Sequence, residues 1–99
     1  METSVPIDRY VLDVLMRDLV GHDRQPAAYL VYLYLYGRGA RSRWRPVAGS
    51  LRELAEATGL SKSAVQTALE TLRRRELIAT ASAHATAVPE HRVARPWRR

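Results

Sequence analysis

The sequence predicts a mainly α-helical domain, with strand character confined to one short connector and to the tail. Three observations predict it. Apolar residues recur every four positions through Val11, Leu15 and Leu19, the spacing of a helical face. The stretch "AYLVYLYLYG", residues 28–37, is bulky and apolar on both halves of its Tyr/Leu alternation and follows helix-start residues. Residues 50–75 read as two capped helices parted by a glycine.

"VPIDRYVLDVLMRDLVGHD" gives the first element, a helix over about residues 7–20 with Leu12, Met16 and Val20 beside the main stripe and Gly21 as its stop. Aspartates 8, 13, 18 and 23 are five apart. An α-helix turns about 140° in that step, so they scatter and make no metal site. Arg9 with Asp13, and Asp13 with Arg17, are spaced as i,i+4 pairs on a solvated face.

The second helix spans residues 26–36. Asp23 is its expected cap, Pro26 fits the first turn, Ala27 and Ala28 favour helix, and Gly37 stands at the stop position. These signals outweigh the strand-like alternation. A helix apolar all round needs cover on nearly every side, from its own domain or from a second subunit. "GRGARSRWRPVAG", residues 37–49, then reads as an irregular connector carrying Arg38, Arg41, Arg43 and Arg45, with a short strand near Trp44 to Val47.

"SLRELAEATGLSKSAVQTALETLRRRELI", residues 50–78, carries the function. Ser50 and Glu53 form a capping box, Leu51, Leu54 and Ala55 point inward, and Gly59 ends the helix after about two turns. Ser61 caps the next helix, whose buried stripe is Val65, Ala68, Leu69 and Leu72 and which runs to Arg75. Two helices on a tight glycine turn, the second longer and amphipathic, are what a helix-turn-helix requires, the alternative being a plain helical hairpin in an all-α domain. Its outer face presents Ser63, Gln66, Thr67, Glu70 and Arg74, with Lys62 at the start. Small hydrogen-bonding side chains at the N-terminus of such a helix suit a major groove.

This stretch resembles the helix-turn-helix core of bacterial winged-helix DNA-binding proteins, as in GntR-like and MarR-like transcription regulators and some plasmid and phage replication initiators. The resemblance implies a winged helix-turn-helix with an N-terminal helical extension. Residues 62–75 become the recognition helix, 26–36 the first core helix, Arg45–Val47 the first strand and 77–96 a β-hairpin wing. Pro89 and Glu90 are then the expected turn, and Arg92 and Arg95 the wing's contacts with phosphate or minor groove. Residues 1–24 form the extension and 25–99 the winged domain. GntR-like proteins add a large effector domain and MarR-like ones longer flanking helices, so a stand-alone regulator is expected.

Composition agrees with one small domain, since 99 residues bury a single core. There is no cysteine, hence no disulfide and no thiolate zinc site. No apolar run approaches the roughly 18 residues of a membrane span, and the N-terminus lacks a signal-peptide pattern; a cytoplasmic protein is expected. Residues 1–36 hold three arginines against five acidic residues, net −2, whereas residues 37–99 hold thirteen basic against five acidic, net +8. That asymmetry points to a polyanion, although a single lysine among 16 basic residues also fits a GC-rich genome. His22, His84 and His91 are dispersed and read as surface histidines, and no catalytic motif occurs, so neither an enzyme nor a cofactor is expected.

The expected function is sequence-specific binding of double-stranded DNA by a small homodimeric regulator that represses by occupying an operator. Lys62, Ser63, Gln66 and Thr67, with Ser61 and Arg74 on the same face, are the readers; Arg43, Arg45, Arg92 and Arg95 hold phosphates. Val11, Leu15, Leu19, Tyr29, Tyr32 and Tyr36 are the expected dimer interface. The alternative for these six is that the N-terminal helix folds back and covers the tyrosine helix within one chain. A replication-initiator domain and a winged helix used to bind protein are the rival functions.

Overall fold

The computed structural model describes residues 3–98; Met1, Glu2 and Arg99 lie outside the described residues. The N-terminal helix consists of two π-helical stretches, Val11–Leu15 and Arg17–His22, joined at Met16. α1 spans Pro26–Arg41, β1 Val47–Ala48, α2 Leu51–Thr58, α3 Lys62–Arg74, β2 Ile78–Ala81 and β3 Glu90–Val93. The strands form one antiparallel sheet in the order β1-β3-β2, with Val47 opposite His91 and Ile78 opposite Val93. Three helices, a hairpin and a short strand paired to it make a winged helix-turn-helix, preceded by a helical extension.

α1 is the centre of the molecule and packs on α2, α3, the N-terminal helix, β1 and β3. That position explains a helix without a polar face. Val31, Tyr32 and Leu35 have no exposed surface, and Leu54, Val65, Leu69 and Leu72 of the other two helices complete the core. The tyrosine rings supply buried area while their hydroxyls reach out to neighbouring backbone. Tyr29 donates to the Val11 carbonyl at 2.9 Å, Tyr32 donates to the Ala94 carbonyl at 2.8 Å, and the Asp8 amide donates to the Tyr36 hydroxyl at 3.1 Å. α1 thus anchors both the extension and the segment after the wing.

The six residues expected at a dimer interface are therefore core residues of one chain. Val11, Leu15 and Leu19 lie against α1, and Tyr29, Tyr32 and Tyr36 are buried beneath them and beneath the C-terminal segment. The extension folds back on its own chain.

Three boundaries differ from expectation. The N-terminal helix is π rather than α and passes through Gly21 to His22, the Asp23 amide closing it onto the Asp18 carbonyl five residues back. Residues five apart fall on successive turns of such a helix, yet among the described residues no acidic or histidine cluster could hold a metal. Asp23 does not cap α1: Gln25 is the N-cap, without a side-chain bond, and the Asp23 carboxylate grips Arg75. α1 continues through Gly37 to Arg41, so residues 37–41 of the expected connector are helical. The helix stops after Arg41, where the Gly39 carbonyl accepts from the Ser42 and Trp44 amides. A Cβ on Gly39 would stand 3.0 Å from the Trp44 ring, tighter than ordinary packing, so glycine lets the indole lie close against the helix. Arg43 and Trp44 take left-handed φ values of 56° and 65° to make the turn.

Candidate nucleic-acid interface

The helix-turn-helix forms where its local signals stand. The Ser50 hydroxyl accepts from the Glu53 amide at 3.1 Å and the Glu53 carboxylate accepts from the Ser50 amide at 3.0 Å, a complete capping box. That amide, its hydroxyl and the nearby Arg38 charge hold the Glu53 carboxyl below its ordinary pKa. Gly59 ends α2 at φ 78°, where an L side chain would be strained. Ser61 then opens α3 by accepting from the Ala64 amide at 3.1 Å.

α3 buries Val65, Ala68, Leu69, Thr71 and Leu72 and exposes Lys62, Ser63, Gln66, Thr67, Glu70 and Arg74. The structure thus gathers Ser61, Lys62, Ser63, Gln66 and Thr67 into one exposed patch over the first turns of α3. Ser61 differs from the others because its oxygen already serves as the cap. Arg74 lies at the opposite end, about 18 Å away by helix rise.

The three consecutive arginines divide. At about 100° per residue they leave α3 in three directions. Arg73 donates to the Thr80 hydroxyl at 3.3 Å, Arg74 is exposed, and Arg75 makes a two-pronged ion pair with Asp23. That pair holds the Asp23 carboxyl at a pKa of about 2 and raises that of Arg75. Arg73 was not singled out from the sequence, but it shares with Arg92 an open cleft of about 450 Å³, lined also by Glu76, Ile78, Ala79 and Ala94. The local run of three like charges gave no sign of which one would reach the sheet.

The wing is a hairpin with an eight-residue connection, residues 82–89. Pro89 and Glu90 are not its turn. Glu90 is the first residue of β3, paired with both Ala48 and Ala81, and the Pro89 carbonyl accepts from the Gly49 amide at 3.0 Å. The backbone turn lies earlier, where the Ala87 amide bonds the His84 carbonyl. Arg92 is exposed on the outer face of β3. Arg95 lies past the strand with its guanidinium 3.7 Å from the centre of the Trp44 ring, a cation–π contact that holds it against the protein. Arg43 and Arg45 are exposed in the turn before β1, and the Pro46 beside Arg45 lines a groove with Arg92.

His91 is not a surface histidine. It has no exposed surface and sits at the middle of the sheet, Nε2 2.9 Å from the Gly49 carbonyl and Nδ1 3.0 Å from the Thr80 hydroxyl. Burial lowers its pKa. A single chain of bonds therefore runs from Arg73 on α3 through Thr80 and His91 to Gly49, at the threshold of α2.

Among the described residues no helix is long and apolar enough to cross a membrane. Residues 44–82 match the family model of the IclR helix-turn-helix domain, which takes in β1, α2, α3 and β2 and leaves α1, β3 and the N-terminal helix outside. No curated protein and no solved structure matches the chain. The family match supports DNA-binding transcription regulation as the role of this segment.

Proposed function

We propose that the chain is a sequence-specific double-stranded DNA-binding protein that represses transcription by occupying an operator as a homodimer, with α3 in the major groove. The observation that carries this reading is the N-terminal half of α3. Lys62, Ser63, Gln66 and Thr67 are all exposed there, while Val65, Ala68 and Leu69 fix the helix to the core. Amides, hydroxyls and ammonium groups on such a helix match the donors and acceptors of base edges. Arg43, Arg45 and Arg92 are the proposed phosphate anchors, with Arg73 beside Arg92 in the same cleft. One α3 reads only a few base pairs, and a two-fold dimer offers two of them to half-sites about 34 Å apart.

Selection of bound sequences from random duplex DNA tests the reading. The expected result is an enriched palindromic site whose binding weakens by about 0.9 log unit per phosphate contact for each tenfold rise in salt. Gln66→Ala should lower binding to that site by about 1–3 kcal/mol while leaving binding to random DNA nearly unchanged. Equal losses on both DNAs would remove Gln66 as a reader, and no enrichment would remove sequence-specific recognition.

A further inference from the structure

The N-terminal helix carries a second apolar row. Leu12, Met16 and Val20, each one residue beyond the buried Val11, Leu15 and Leu19, are 47 %, 41 % and 39 % exposed, and Tyr10 and Ile7 extend the surface toward the chain start. Single exposed apolar residues are ordinary; a row at regular spacing on one helix marks a contact surface. The next row on the same helix is Arg9, Asp13 and Arg17, all exposed, with Arg9 3.8 Å from Asp13.

We propose that this row seats the same row of a second copy of the chain, the two N-terminal helices lying antiparallel about a two-fold axis level with Leu15. The proposal deepens the dimeric DNA-binding reading and rests on it. A closed dimer joins identical patches, so the patch must complement itself when turned round. With the axis at Leu15, Asp13 of each copy stands opposite Arg17 of the other, and Leu12 enters the gap between Met16 and Val20. A parallel arrangement would set Asp13 against Asp13 and Arg17 against Arg17, which disfavours it. A uniformly acidic or basic partner would oppose part of the Arg-Asp-Arg row, whereas a second copy pairs Asp13 with Arg17 on both sides of the axis and sets the neutral Gly21 opposite Arg9.

The position also leaves the reading end of α3 free. The Asp23–Arg75 ion pair ties the extension to the C-terminal end of α3, about 20 Å by helix rise from Lys62.

The test is a charge exchange on the full chain, by sedimentation equilibrium at micromolar concentration without DNA. The wild type should show the mass of two chains. Asp13→Arg and Arg17→Asp should each associate at least tenfold more weakly, because each sets like charges face to face. An equimolar mixture of the two variants, and the double variant Asp13→Arg/Arg17→Asp, should recover the two-chain mass. Met16→Glu should also give single chains while keeping its helical circular dichroism. A single-chain mass for the wild type, two-chain masses for the single variants, or no recovery on mixing would each overturn the proposal. A parallel titration with duplex DNA separates the two readings: a dimer that ignores DNA refutes the regulator and leaves this surface standing.

Discussion

Replacing His91 with glutamine should remove a pH dependence from the stability of the fold. A carbonyl only accepts, so Nε2 donates to Gly49, and the neutral ring leaves Nδ1 to accept the Thr80 hydroxyl. Burial lowers the pKa of the imidazole and the charge of Arg73 acts in the same direction, with the Gly49 carbonyl opposing both. β1 and β2 bring no ionisable side chain to the ring, and Arg73 is the charged group that α3 brings. The folded state therefore favours the neutral histidine more than an unfolded chain does, which titrates near 6.5. Its contribution is fully present above that pH and is lost as pH falls below it, because the unfolded chain takes up a proton that the folded one refuses. One proton sets a maximum slope of about 1.4 kcal/mol per pH unit in that window. Glutamine keeps an amide donor for Gly49 and does not titrate, at a cost of about 1–2 kcal/mol at every pH for the lost fit and the weakened Thr80 bond. Urea unfolding followed by ellipticity at pH 7.5 and 5.5 reads both effects. The wild-type midpoint should fall on acidification by clearly more than that of the variant, with His22 and His84 present in both as controls. Equal falls in the two proteins would refute the reasoning.

Arg75→Ala should lower thermal stability by about 1–2 kcal/mol, since two charge-assisted bonds to a largely buried Asp23 are lost and partial exposure of the arginine screens the pair. The Asp23 carboxyl is held at about 2, so this contribution is present above the usual carboxylate range near 4 and disappears as pH falls toward 2. Acid melts of wild type and variant should converge there; a constant gap would contradict the ion pair. Glu76→Gly should raise stability by about 1 kcal/mol, because Glu76 holds φ 59° at the stop of α3, where glycine has no Cβ penalty. An unchanged or lower melting temperature would show that the glutamate compensates its strain.

The helix-turn-helix was legible because every signal for it is local. Ser50, Glu53, Gly59 and Ser61 each act within four residues, and each stands in the structure as its type requires. What was not legible depends on distant partners. Gly37 offered a stop and was passed over, since Trp44 folding onto Gly39 decides where α1 ends. His91 looked dispersed because Gly49 and Thr80 are joined to it only by the sheet. In the extension, Val11-Leu15-Leu19 and Leu12-Met16-Val20 repeat with the same period, so spacing alone does not choose which row meets α1. The choice is made by α1, and with it the six residues assigned to a partner became core. Of the expected site, the cluster on α3 was readable from helix geometry, whereas Arg73 in its cleft and Arg95 on Trp44 follow from the third dimension.

The cover that the extension lays over α1 has a consequence for synthesis on the ribosome. α1 is the most apolar segment of the chain and is complete at Arg41, before any residue of α2, α3 or the wing exists. Translation at about 5–20 residues per second leaves roughly 3–12 seconds before the last of its partners is made. Once outside the ribosome, and until those partners follow it, a bare tyrosine-leucine rod would be open to aggregation with its neighbours. The N-terminal helix is already made and needs only a short-range hairpin closure at residues 23–25 to dock, the kind of contact that forms fastest. By its place in the order of translation, the extension shields the nascent core from the moment α1 emerges.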